Sequence, residues 1–131
     1  MKSYEPIPAE TERIANAVVD AAMKVHRTLG PGLLESVYEA CLCYELEQRG
    51  IPFKAQISLP VVYEDVRLDA GLRLDLLVDN AVIAELNVVQ EMHPVFEAQL
   101  LTYLRLTGLR LGLLINFNVP LLKNGIKRVV L

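Results

Sequence analysis

Residues 73–88 read RLDLLVDNAVIAELNV, two apolar runs joined at Asp79-Asn80, each carrying one carboxylate, Asp75 in the first and Glu85 in the second. Short runs of Leu, Val and Ile separated by a turn-prone pair predict adjacent antiparallel strands. Side chains alternate faces along a strand, so Arg73 and Asp75 share a side, as do Glu85 and Asn87. Whether the two acids meet depends on the loop. A two-residue loop pairs Val78 with Ala81 and sends the carboxylates to opposite faces. A three-residue loop of Asp79, Asn80 and Ala81 pairs Val78 with Val82 and sets them side by side. Carboxylates held a few ångströms apart repel unless a cation neutralises them, and oxygen-rich sites suit Mg²⁺ or Mn²⁺. In the other reading they are ordinary acids on a wet sheet face, and the residues alone leave both readings standing.

On either side of this hairpin the periodicity is helical. From about Glu10 to Leu29, Ile14, Val18, Ala21, Val25 and Leu29 recur at three- and four-residue intervals, and Gly30-Pro31-Gly32 ends the run. A second helix is predicted from about Leu33 to Arg49, with Leu34, Val37, Cys41 and Tyr44 or Glu45 along its apolar stripe, stopped by Gly50-Ile51-Pro52. FKAQISLPVVY adds a strand before the hairpin, with Glu64-Asp65 as its turn. His93-Pro94 opens a helix through Thr107 that Gly108 closes. LRLGLLINF reads as a strand buried on both faces, and IKRVVL as a last short one. The predicted order is α-α-β-β-β-α-β-β, without internal repeats.

The bulk properties exclude several classes. A length of 131 residues fits one domain, 1–131. The hydrophobic fraction is 53% with a mean hydropathy of +0.32, yet charges interrupt every apolar run before the roughly 18 residues a membrane span needs. Excess apolar surface on a small domain predicts a homo-oligomer. The start MKSYEPIPAE has no signal-peptide apolar segment, which makes a cytoplasmic protein the default. A net charge of -3 argues against a broad basic surface, though a metal-carrying nucleic-acid site is itself acidic. Cys41 and Cys43 project from different sides of a helix and form no C-x-x-C motif, so they read as reduced core thiols.

Asp followed on the next strand by Glu-x-Lys is the signature of the PD-(D/E)xK nuclease-like superfamily, and the chain resembles it. GLLESVY (Gly32, Glu35, Tyr38) resembles the motif that names the GxxExxY protein family, a branch of that superfamily. The likeness extends through VHRTLGPGLLESVYEA, both acidic strands, FEAQLLTYLRLTGLRLGLLINF and LLKNGIKR. Gln99-x-x-x-Tyr103 is similar to a helix motif of the exonuclease-like branch. The resemblance implies an α/β (α+β) restriction-endonuclease-like core, a central mixed sheet flanked by helices.

It also implies roles. Asp75 and Glu85 bind Mg²⁺ or Mn²⁺, with the Leu86 carbonyl as a third ligand, Glu35 assisting and Gln99 positioning a nucleic-acid substrate. The superfamily lysine falls on Asn87, which is neutral and shorter, so the site is expected to be catalytically impaired. Arg73, Lys54 and Arg105 are candidate substitutes, Arg73 the best placed. Two functions follow: a metal-dependent nuclease, or a pseudo-nuclease kept as a nucleic-acid or protein binding module. Tyr38 and Tyr103 read as packing residues with a hydrogen bond at the tip, and His26 as a buried hydrogen-bonding group rather than a catalyst. His93 reads as a helix start, and Lys123, Lys127 and Arg128 as solvated charge or a phosphate contact.

Overall fold

A computed structural model describes residues 5–131; the first four residues of the MKSYEPIPAE start lie outside the described part. Its elements are α1 (Ala9–Leu29), α2 (Glu35–Gln48), β1 (Phe53–Tyr63), β2 (Val66–Val78), β3 (Val82–Asn87), α3 (Pro94–Thr107), β4 (Leu111–Asn116) and β5 (Ile126–Val130). A 3₁₀ turn, Leu122–Gly125, precedes β5. The predicted element order holds throughout.

The five strands form one mixed sheet in chain order. Only the β3–β4 pair is parallel, because α3 carries the chain back across the sheet between them. α1 and α2 cover one face, where Ile14, Val18, Ala22, Tyr38, Leu42 and Leu46 meet Leu76, Val78, Ala84, Leu86 and Ile115. α3 covers the other, packing Leu100, Tyr103 and Leu104 on Leu74, Ile83 and Leu114. With a helix layer on each side, β4 is buried along its whole length, as its unbroken apolar run predicts. Gly112 makes the α3 contact close: a Cβ there would lie 2.7 Å from Leu100 Cδ1. α3 therefore sits low over the sheet, and Gln99 comes down beside β3.

The stripe predicted for α2 is displaced. Tyr38, Leu42, Glu45 and Leu46 are buried, whereas Leu34, Val37 and Tyr44 are exposed, Leu34 by 74%. Apolar residues surround most of this helix, so periodicity alone does not choose a face. Tyr38 chooses it by stacking on Phe117, ring centroids 4.5 Å apart, while its hydroxyl donates to the Gly30 carbonyl at 2.5 Å and accepts from the Leu33 N–H. Glu45 goes inward with it because Lys24 Nζ meets its carboxylate at 2.8 Å. The cysteines are free and half-buried, and burial pushes the Cys43 thiol up to about 11, which leaves it unreactive at neutral pH.

The decisive hairpin takes the longer loop. Val78 pairs with Val82, and Asp79 and Asn80 both adopt left-handed backbone, φ +52° and +51°, which short Asx side chains tolerate. The β2–β3 ladder stops at Leu76–Ala84, one residue before the acids. The rest of β2 runs on with β1 as a two-stranded arm ending in the exposed Val62, Tyr63, Val66 and Leu68.

Candidate active site

Where the β2–β3 ladder ends, Asp75 replaces the backbone partner: the Leu86 N–H donates to Asp75 Oδ2 at 2.8 Å. The same break changes which side of the sheet β2 feeds. Leu74 packs under α3, while Leu76 packs under α1 and α2. Strict alternation would put both on one face, so β2 twists at Asp75. The twist turns the acid toward β3. Opposite it on β1, Gln56 has φ +53°, and the pairing passes from Ala55–Leu76 to Ile57–Leu74 with Gln56 and Asp75 unpaired.

The result is a cleft of about 210 Å³ lined by Glu35, Arg73, Asp75, Glu85, Leu86, Asn87, Phe96, Gln99, Tyr103 and Leu114. All six residues singled out as site candidates, Asp75, Glu85, Leu86, Asn87, Glu35 and Gln99, are thus in one place. Arg73 joins them. Lys54 and Arg105 do not: Lys54 lies by the Asp79-Asn80 turn, and Arg105 bonds Thr102 Oγ1 on the exposed side of α3.

The charge in the cleft is unbalanced. Glu85 Oε1 is buried and has no hydrogen-bond partner, the one such side-chain atom among the described residues. Burial first, and then a hydrogen bond and charge repulsion from Asp75, push the Glu85 carboxyl up to about 10. Glu35 stands at the start of α2, and partial burial, then the charges of Asp75 and Glu39, raise its carboxyl above the ordinary value. Burial and the nearby Glu85 charge likewise raise the Tyr103 hydroxyl.

These residues suit a divalent ion. Among the described residues, no three Asp, Glu, His or Cys side chains converge into a ready metal cage. Mg²⁺ does not require one, since it keeps several waters and takes one or two carboxylates plus substrate oxygens. Two carboxyl groups lining one cleft, one with an orphaned buried oxygen, supply that donor set.

The remaining candidates have structural roles. His26 Nε2 donates to the Val119 carbonyl at 2.7 Å, away from the cleft. His93 caps α3, its Nδ1 accepting from the Val95 N–H at 3.0 Å. Lys127 pairs with Glu97 at 2.6 Å and Arg128 with Glu12, which ties β5 to α3 and α1. A more apolar groove of about 290 Å³ between α1 and α2, lined by Val25, Leu29, Cys41 and Tyr44, has no acid pair.

Asn116 belongs to no motif in the sequence. It lies at the end of β4 beside Asn87 and is only 2% exposed. Its Oδ1 accepts from the N–H groups of Val89 and Asn118, at 3.2 and 3.1 Å, and its Nδ2 donates to the Val89 carbonyl at 2.9 Å. One amide thus fixes the chain as it leaves the site. The signal was an amide interrupting an otherwise apolar strand. Asn116→Ala strands two donors and an acceptor, so denaturant unfolding should show a loss of about 2 kcal/mol.

A mixed sheet with helices on both faces, opening at the end of two strands into an acidic cleft, is the frame of a nuclease-like α+β domain. The chain belongs to the PD-(D/E)XK nuclease superfamily, whose family profile matches residues 12–129. Nucleases of this superfamily generally use divalent metals. Among curated proteins and solved structures, none matches. No helix among the described residues is long and apolar enough to cross a membrane.

Proposed function

We propose that this chain is a metal-dependent phosphodiesterase acting on nucleic acid, of the GxxExxY branch, with one nuclease-like domain over residues 1–131. The observation that carries the reading is the pair Asp75 and Glu85 lining one cleft, with Glu85 Oε1 buried and unsatisfied. Asp75, Glu85 and the Leu86 carbonyl would hold Mg²⁺ or Mn²⁺. Such an ion offers Lewis-acid polarisation of a phosphate and a water of lowered pKa. Glu35 adds negative potential at the cleft mouth, Gln99 offers an amide to the substrate, and Asn87 donates a hydrogen bond where a lysine would place a charge.

The second reading, a pseudo-nuclease that binds nucleic acid or a protein, is favoured by Asn87 alone. The losses recorded when one electrostatic stabiliser is removed from an active site are about 10² to 10³ in rate, so slow turnover agrees with the first reading and none at all with the second. Two apolar patches, on the outer side of α2 and at the β1–β2 arm tip, support self-association. A cytoplasmic setting suits a nucleic-acid enzyme with two free thiols.

The test combines metal titration with cleavage. Mn²⁺ should raise the melting temperature, by about 2.7 kcal/mol of stabilisation at roughly 100 times the dissociation constant, and Asp75→Ala should remove the shift. DNA or RNA should be cleaved slowly in Mg²⁺ or Mn²⁺. Metal binding without cleavage of any substrate favours the pseudo-nuclease, and thermal curves unchanged by metal count against both uses of the acid pair.

A further inference from the structure

We infer that Arg73 supplies the positive charge that position 87 lacks, contacting the phosphate of the substrate, and that Gln56 is the positioning residue that holds it there. The inference rests on the nucleic-acid reading above. Among the described residues lining the cleft, Arg73 is the one lysine or arginine, and three acids, Glu35, Asp75 and Glu85, share that lining. Its charge is not spent on a carboxylate. Arg13, Arg49, Arg67 and Arg128 each pair with an acid, but Arg73 makes no ion pair among the described residues. Its Nη1 donates instead to the neutral amide oxygen of Gln56 at 3.2 Å. A guanidinium steadied by a neutral acceptor keeps its full charge and further N–H groups for a phosphate.

The orientation of Gln56 is itself determined. Its Nε2 donates to Glu39 Oε1 at 2.6 Å. A carboxylate accepts only from the amide nitrogen, so Glu39 turns the amide oxygen toward Arg73. The chain Glu39–Gln56–Arg73 therefore spans α2, β1 and β2 and ends in the cleft. Gln56 reaches across with φ +53°, directly opposite the twist at Asp75. Left-handed backbone is uncommon for a glutamine, and such conformations cluster at functional sites. Here the strained residue both accompanies the turn of Asp75 and aims the cation.

The test is a charge relocation, read by binding and by cleavage. Fluorescent single-stranded DNA, the corresponding RNA and the annealed DNA duplex are titrated without metal, and the same strands are then assayed for cleavage in Mn²⁺. Arg73→Gln should fold normally, keep the Mn²⁺-induced rise in melting temperature, bind the strands about fivefold or more weakly and cleave about 10²-fold more slowly. Adding Asn87→Lys to Arg73→Gln should restore both, because the charge returns to the same cleft. Gln56→Gly should keep or raise the melting temperature, since glycine relieves the positive φ, yet cut cleavage severalfold at saturating substrate. A merely structural glutamine would not separate stability from turnover. If Arg73→Gln binds and cleaves like the parent, the inference is overturned while the acid-pair reading stands. If the parent binds but does not cleave, the hydrolytic reading fails, and weaker binding by Arg73→Gln with rescue by Asn87→Lys still supports the role of Arg73. A parent that binds none of the strands overturns both.

Discussion

Glu85→Gln should be more stable than the parent without metal, should not respond to metal, and should cleave nucleic acid about 10³-fold more slowly. The Glu85 carboxyl is pushed up to about 10 in the folded protein, against 4.5 when solvated. The folded state therefore holds a proton that the unfolded chain releases. Stability contributed by that proton is fully present below pH ~4.5 and falls as pH rises toward ~10. At pH 7 to 8 the metal-free parent sits on this slope. Glutamine is neutral at every pH, and its amide can donate to Asp75 in place of the protonated Glu85 carboxyl. The variant should therefore gain on the order of 2 kcal/mol near pH 7.5, roughly 6 °C in melting temperature, with a flatter pH profile. Added Mg²⁺ or Mn²⁺ should then invert the ranking. Cation binding stabilises the parent by replacing the proton, whereas the amide is a poor substitute ligand. Melting curves across pH, with and without metal, decide this. A variant less stable than the parent at pH 8 without metal would show that the acid pair is not strained.

Asn87→Lys should speed cleavage in Mg²⁺ about tenfold, and about 10²-fold in the Arg73→Gln background, where no other cleft cation remains among the described residues. Asn87 is the last residue of β3, on the side of Glu85, and it lines the cleft. An ammonium there would be drawn to the acid pair and would meet charge developing on a phosphate. The gain should vanish when Glu85→Ala is added, because on the proposed reading the lysine acts only together with a metal held by Glu85. A folded Asn87→Lys variant no faster than the parent on DNA and RNA would show that the missing cation does not limit the rate.

Much of the fold was legible because its signals are local. Gly108 closes α3 in left-handed backbone, φ +74°, and Pro94 occupies its first turn, so the helix limits could be read from two residues. The three-residue loop was legible as a condition: the acids could meet only if Val78 faced Val82, and it does. The face of α2 was not legible. Its apolar residues surround the helix, and the choice rests on Tyr38 meeting Phe117, far away in sequence. The twist at Asp75 was equally hidden, since alternation predicts Leu74 and Leu76 on one face and nothing local announces the left-handed Gln56 opposite. Asn116 stayed unseen because its partners, Val89 and Asn118, are backbone groups that carry no sequence signal. Local chemistry thus indicated which residues form the cleft. Long-range packing decides how Arg73, Gln56 and Asp75 are aimed within it.

Whether Asp75 and Glu85 together hold a divalent ion can be read from anomalous scattering by crystals soaked in Mn²⁺, compared between the parent and Glu85→Gln. The parent should show a strong manganese peak within coordination distance of both carboxylates and the Leu86 carbonyl, roughly 2.0–2.3 Å, and Glu85→Gln should show none there. Parent crystals with no manganese in the cleft at saturating metal, or an unchanged peak in Glu85→Gln, would overturn that reading.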